Sequence, residues 1–252
     1  MTRVFITGGA GFLGGHVASA LSTRDDVALV VAGDVRPPAE PVVGVVYEQC
    51  DVTRAGALAP LLQRHGIDVV VHLAAIVNPG RDHDLEYRVD VDGTRNVLSA
   101  CVDAGVRRIV VSSSGAAYGY HPDNPEWLRE GDPVRGNDEF AYAKHKRLVE
   151  EMLSAYRGSH PGLEQVVFRI GTILGPTVQN QITALWDGGR ILAVRGSDSP
   201  FVFVWVDDVA GAMARAATDG PPGIYNVAGD GRLTVGEIAA RLRKPVLVVP
   251  AS

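Results

Sequence analysis

Two side chains four positions apart carry the clearest chemistry in this chain: Tyr142 and Lys146, in the stretch YAKHK. On a helix, residues at i and i+4 share a face, with Cβ atoms about 5–6 Å apart. A free phenol, with a pKa of about 10, is a poor proton carrier at neutral pH. An ammonium one turn away favours the phenolate and brings proton exchange toward the working range. Such a pair can protonate a carbonyl oxygen as hydride arrives, or deprotonate an alcohol as hydride leaves. Ser114, the last of three consecutive serines, lies where an apolar run ends, and its hydroxyl can donate to the same oxygen. Tyr and Lys at this spacing are commonplace on helices; their weight comes from what else the chain contains.

A hydride needs a carrier, and Arg3 to Ala20 (RVFITGGAGFLGGHVASA) reads as a cradle for one. Val4 to Ile6 suits a buried strand, Thr7 to Gly14 a tight turn, and Phe12 to Leu21 a helix. Gly8, Gly11 and Gly14 are three apart. Glycine at such positions permits the sharp exit from the strand, the approach of backbone to a pyrophosphate, and close helix–strand packing. The helix start offers free N–H groups to phosphates, so Gly8, Gly11, Phe12, Leu13 and Gly14 are the expected cofactor contacts. Asp34 follows Gly14 by 20 residues, near the spacing at which an acid meets the adenosine ribose. A carboxylate there repels a 2′-phosphate and predicts NAD over NADP, while Arg36 could pair with such a phosphate. Asp51, ahead of Val52, is placed either to accept from the adenine amino group or to share helix capping with Thr53. Leu73, Ala74 and Ala75 end another apolar strand, and small residues there let a ligand approach. His72, inside that strand, reads as a satisfied core histidine.

The elements that must position these groups follow in order. Strands are expected at Val27–Ala32, Val42–Tyr47, Asp68–Leu73, Val106–Val111 and Gln165–Ile170, with helices at Ala55–His65, Leu85–Ala104 (interrupted by Gly93) and Phe140–Ala155. Tyr120 to Asn137, with three prolines, reads as an irregular excursion, with the character of a flap. Beyond Gly175-Pro176 come a helix near Gln181–Trp186, a strand near Phe201–Val206, a helix over Asp207–Ala217, then strand, helix and strand at Ile224–Val227, Thr234–Leu242 and Val246–Val249. This alternation predicts an α/β fold with a doubly wound parallel sheet.

The chain's 252 residues allow one large domain or two small ones, and 46% hydrophobic residues suit a sizeable core. A net charge of −5 without a long basic cluster argues against a nucleic-acid binder. No apolar run has membrane-spanning length, and the first residues do not read as a signal peptide. Cys50 and Cys101 have no metal-ligand spacing and read as small core residues of a cytoplasmic protein.

With these residues in place the chain resembles the extended branch of the short-chain dehydrogenase/reductase superfamily, which contains nucleotide-sugar epimerases, dehydratases and many reductases. The matching pieces are TGGAGFLG (Thr7–Gly14), GD (Gly33-Asp34), CDVT (Cys50–Thr53), HLAA (His72–Ala75), DGTRNVLSAC (Asp92–Cys101), SSSGAAYG (Ser112–Gly119), YAKHK (Tyr142–Lys146), GP (Gly175-Pro176) and FVWVDDVAGA (Phe203–Ala212). The resemblance implies a Rossmann domain over residues 1–172 and a small, interleaved C-terminal substrate lobe over 173–252. It implies that Tyr142 is the acid/base, that Lys146 also holds the nicotinamide ribose, that Ser114 orients the substrate, and that Asp34 and Asp51 contact the adenosine half. Pairing through the helices at Leu85–Ala104 and Phe140–Ala155 implies a homodimer.

Two departures stand out. Asp90 precedes Val91, Asp92, Gly93 and Thr94 where family members often carry Asn. RIGTILGP places Thr172 where an Asn often helps hold a diphosphate, and between Pro176 and Val206 the cationic clamps available are Arg190 and Arg195. Extended members also run on for another helix or more, so either the lobe is minimal or residues follow Ser252. The leading expectation is an NAD-dependent oxidoreductase acting on an alcohol/ketone pair. A nucleotide-sugar epimerase is the alternative, and a non-catalytic dinucleotide sensor the reading from another class.

Overall fold

A computed structural model describes residues 1–78 and 80–250. Seven parallel strands form the central sheet: β1 (Thr2–Thr7), β2 (Val27–Asp34), β3 (Val45–Gln49), β4 (Val69–His72), β5 (Arg108–Ser114), β6 (Glu164–Ile170) and β10 (Gly223–Val227), in the order β10-β6-β5-β4-β1-β2-β3. Chain order reverses between β1 and β4, so their carboxyl ends open a crevice where ligands of such sheets bind. The two-residue period of the strands divides their side chains between two cores. Val4, Ile6, Val30, Val69, Val71 and Val110 face a layer made with α1 (Phe12–Ser22) and α7 (Val206–Thr218). Phe5, Val31, Val70, Ile109 and Val111 face the other, made with α2 (Leu58–Arg64), α4 (Gly93–Asp103) and α5 (Ala141–Ser159). Both faces are covered, which is why these strands read as continuous apolar runs.

The expected helix over Leu85–Ala104 is continuous but not uniform. α3 (His83–Tyr87) runs into a π turn, Arg88–Asp92, and then into α4. Gly93 does not interrupt it: its backbone is helical, and glycine is required there by packing, since a Cβ would lie 2.8 Å from Val52 Cγ2. Several ends differ from the expected ones: β5 runs on through the serines to Ser114, and α2 starts only at Leu58 because residues 51–54 form a turn. Arg108 ties the far layer to the sheet, donating to the Ala216 and Gly220 carbonyls at the end of α7 and pairing with Glu164.

The remaining elements are short. β7 (Thr172–Leu174) pairs with β9 (Phe203–Trp205), and β8 (Ile191–Val194) with β11 (Val246–Val249), both in parallel. Neither β7 nor β8 is expected from the sequence, since three- and four-residue strands leave little periodicity to read. A third apolar cluster, Trp186, Ile191, Ile238 and Ala239, joins β8 to α6 (Gln181–Asp187) and α8 (Val235–Leu242). α8 begins with a capping box between Thr234 and Glu237. Among the described residues no helix is long and apolar enough to cross a membrane.

Candidate active site

At the end of β1 the chain turns through Gly8, whose φ of +70° lies in the region that favours glycine. A Cβ there would stand 2.8 Å from the Ala74 nitrogen, and one on Gly14 would stand 2.2 Å from the Gly8 carbonyl oxygen. Leu73 and Ala74 therefore form the opposite wall of the turn, and their N–H groups reach Thr7 Oγ1 at 3.3 and 3.4 Å. Gly11 is the N-cap of α1 and supplies no side-chain acceptor, so the first N–H groups of that helix, at Phe12 and Leu13, face outward uncapped. Backbone that a Cβ would obstruct, beside an uncapped helix start, fits a pyrophosphate. The Phe12 ring lies against Gly175, where a Cβ would come within 3.0 Å of Cζ, and so joins this turn to the C-terminal part of the chain.

Asp34, at the end of β2, stands beside the same turn. Its carboxylate accepts from the Ala10 N–H (3.1 Å) and the Arg36 N–H (3.2 Å), while the Arg36 side chain is exposed. Asp51 is held more locally: Oδ1 accepts from the backbone N–H and hydroxyl of Thr53, and Oδ2 lies 3.5 Å from Arg54 Nε. Neither Asp51 nor Thr53 caps α2, whose N-cap is Ala57. Val52 is buried and its carbonyl accepts from Asn96, fixing this turn to α4. The nearby Cys50 thiol is pushed up to about 11 by burial, then by Asp51, Asp34 and Glu48.

On the other side of the crevice, Ser114 ends β5 and Tyr142 and Lys146 stand one turn apart on α5. Lys146 is buried, Tyr142 and Ser114 half-buried. The Lys146 ammonium lies 5.6 Å from the centre of the Tyr142 ring and donates to the Ser112 carbonyl at 2.8 Å, anchoring helix to strand. Ser114 Oγ caps the 3₁₀ turn Gly115–Tyr118, accepting from Ala116 N–H at 3.2 Å, which leaves its proton free to donate. Ala75 and Lys146 line one small cavity, so the β4 exit and α5 meet.

His72 behaves as a core residue. Thr7 Oγ1 lies 2.7 Å from Nδ1 and Thr94 Oγ1 2.9 Å from Nε2, and Thr94 in turn donates to the Asp90 carbonyl. Thr7 already accepts two N–H groups, so its proton points to Nδ1 and the imidazole carries its own on Nε2. Burial first, and the Lys146 charge second, push this histidine down to about 3.

A buried ion pair and a buried carboxylate–imidazole contact beneath the site were not legible from spacing. Glu150 takes Arg169 through contacts of 2.6–3.0 Å and the Ser113 hydroxyl at 2.5 Å. Asp90 takes His145 at 2.9 Å. The signal for both lay one turn or one residue from Lys146, in YAKHK and in Glu150. The same arginine reaches the Glu130 carbonyl and lies 4.6 Å from the Tyr118 ring centre. Tyr118 Oη donates within reach of Asn226 and Arg129, and Asn226 N–H donates to Glu130. The excursion from Tyr120 to Asn137 is thereby strapped to β6 and β10 and is not the free flap its composition suggested. Its exposed Trp127 lies under Arg232, which also pairs with Glu126. Arg190 and Arg195, by contrast, lie exposed on either side of β8.

Comparison with known proteins shows what the chain as a whole resembles. The chain is 32% identical over 162 residues to a vaccinia virus 3 beta-hydroxysteroid dehydrogenase/Delta 5-->4-isomerase, a match covering 59% of this chain and 44% of the relative. It is 25% identical over 254 residues to an uncharacterized protein of Mycobacterium tuberculosis, covering 98% of this chain and 67% of the other. Among solved structures, a Thermus thermophilus UDP-glucose 4-epimerase in complex with NAD superposes with a TM-score of 0.81 at 28% identity, over 99% of this chain and 86% of that one. The family model for the NAD dependent epimerase/dehydratase family matches residues 4–228, nearly the whole chain. A glycine turn without room for a Cβ, an acid at the end of the second strand, and this match together place the chain in the NAD-dependent epimerase/dehydratase family.

Proposed function

We propose that this chain is an NAD-dependent oxidoreductase that interconverts a secondary alcohol and a ketone in a small or mid-sized organic molecule. The observation that carries the reading is Lys146, buried and held by the Ser112 carbonyl, with its charge 5.6 Å from the centre of the Tyr142 ring. Bound NAD supplies the hydride acceptor, or in its reduced form the donor. Tyr142 takes the hydroxyl proton of the alcohol or returns it to the ketone oxygen, with Lys146 favouring the phenolate. Ser114 donates to the same oxygen and holds it in register. The turn at Gly8–Gly14, with Leu73–Ala75, seats the dinucleotide, and Asp34 disfavours a 2′-phosphate. The elements of the C-terminal region around α6, β8 and α8 close the substrate side, and two copies pair through the α4 and α5 faces.

A nucleotide-sugar epimerase is the second reading, favoured by the superposition on a UDP-glucose 4-epimerase. The exposed, scattered Arg190 and Arg195 weigh against a built diphosphate clamp. Incubating the chain with NAD and, separately, a 3β-hydroxysteroid, simple secondary alcohols and UDP-glucose separates the two. NADH accumulation with an alcohol or steroid supports the first reading. Sugar interconversion without net NADH change supports the second. Tyr142→Phe is expected to lower turnover at least about a hundredfold while leaving the NAD dissociation constant nearly unchanged. Unchanged turnover removes Tyr142 from the chemistry.

A further inference from the structure

Below Lys146 lies a small cavity whose polar walls are His72, Asp90, Thr94, His145 and Lys146. The π turn directs Asp90 inward, where Oδ1 accepts from the Ile76 N–H at 2.8 Å and Oδ2 faces His145 Nδ1 at 2.9 Å. Asp90 and His145 are only 6% and 5% exposed. A carboxylate facing Nδ1 fixes a proton on that nitrogen.

Lys146 is equally enclosed, at 8% exposure, yet among the described residues it enters no ion pair; its hydrogen bond goes to a carbonyl. A buried ammonium without a counter-charge is costly. Three carboxylates stand on the surrounding elements. Glu150 is committed to Arg169 and Ser113. Glu86, on α3, is committed to the Gly80 N–H and to His83. Asp90 is bound by an N–H and an imidazole and leaves a charge over. His145 faces Asp90 from the π turn, the edge of Tyr87 and the carboxylate of Glu86 from α3, His72 across the cavity from β4, and Lys146 on its own helix. A second cation there, beside Lys146, would leave two positive charges against one free carboxylate, so the neutral imidazole is the cheaper occupant.

We propose that Asp90, reaching across the neutral imidazole of His145, is the counter-charge that keeps Lys146 an aimed ammonium beside Tyr142. Asp90 is thus a positioning residue and His145 its spacer. The proposal rests on the reading of Tyr142 as acid/base, but its test needs no turnover. The full chain, labelled with ¹³Cε-lysine and saturated with NAD, is titrated by NMR, and the Lys146 signal is assigned by its loss in Lys146→Met. Removing a nearby negative charge disfavours the ammonium, so Asp90→Asn is expected to move the Lys146 midpoint down by about one pH unit. His145→Gln keeps the carboxylate and removes no charge, so it is expected to leave the Lys146 midpoint in place.

Coincident Lys146 midpoints for wild type and Asp90→Asn overturn the proposal, as does an upward shift in His145→Gln, which would show that the imidazole had been a cation. Should Asp90→Asn fold poorly, Asp90→Ser is read by the same signs: a lowered Lys146 midpoint supports the proposal and an unmoved one overturns it. A purely structural role for Asp90 would lower the melting temperature and leave the midpoint unmoved. Failure of the catalytic reading would appear elsewhere, as turnover indifferent to Tyr142→Phe.

Discussion

A Cβ on Gly14 would meet the Gly8 oxygen at 2.2 Å, and one on Gly9 the Ala32 Cβ at 2.6 Å, whereas one on Gly189 or Gly236 would meet nothing within 4 Å. The first pair belongs to the turn proposed to seat the cofactor, the second to the segments around β8 and α8. The same contrast runs through the polar groups. Near the glycine turn, Thr7, His72, Thr94 and Asp34 are all engaged, while Arg190 and Arg195 stand exposed. On the proposed function, the glycine turn answers to a dinucleotide of fixed shape, and the segments around β8 and α8 answer to the substrate. The Glu150–Arg169 pair is the seam between them, because it sits under β5 and holds the excursion that borders the substrate side.

Breaking that seam is expected to have the largest effect. Glu150→Ala strands a buried guanidinium and is expected to cost about 3–5 kcal/mol, read as a lowered denaturant midpoint together with earlier proteolysis between Tyr120 and Asn137. The glycines test the contrast itself. Gly14→Ala overpacks the turn and is expected to cost about 1–3 kcal/mol and to abolish measurable NAD binding by calorimetry. Gly189→Ala is expected to leave binding intact and stability within about 1 kcal/mol, on the stabilising side. Equal effects at the two positions would erase the distinction between the halves.

His72 gives a smaller, pH-dependent signature. Its folded value is pushed below its unfolded value of 6.5, so between these two the unfolded chain binds the extra proton. Stability is therefore expected to fall on acidification from about pH 6.5, by up to about 1.4 kcal/mol per pH unit from this residue. His72→Asn should flatten that slope by one proton between about pH 6 and pH 5, before carboxylates dominate.

The sheet and the cradle were legible because their constraints are local. Parallel strands buried on both faces write unbroken apolar runs, and a turn that excludes Cβ atoms writes glycines at fixed spacing. Tyr142 and Lys146 were legible because a helix converts spacing into a shared face. Asp90–His145 and Glu150–Arg169 were not, since their partners lie 55 and 19 residues apart and only the fold joins them. The short strands β7 and β8 left too few residues for a period, and the strapping of the excursion depends on Arg169 and Asn226, which nothing nearby in sequence announces. Asp51 shows a third limit: turn and ligand roles call for the same residue type, and here its side chain serves the turn at Thr53.

The measurement closest to the central claim is a crystal structure of this chain with NAD bound. The account predicts the pyrophosphate on the Gly8–Gly14 turn, the ribose hydroxyls at Asp34, and the nicotinamide ring lying between Ser114 and Tyr142 with Lys146 on its ribose. A nicotinamide directed away from Tyr142, or a dinucleotide seated elsewhere on the chain, would contradict it.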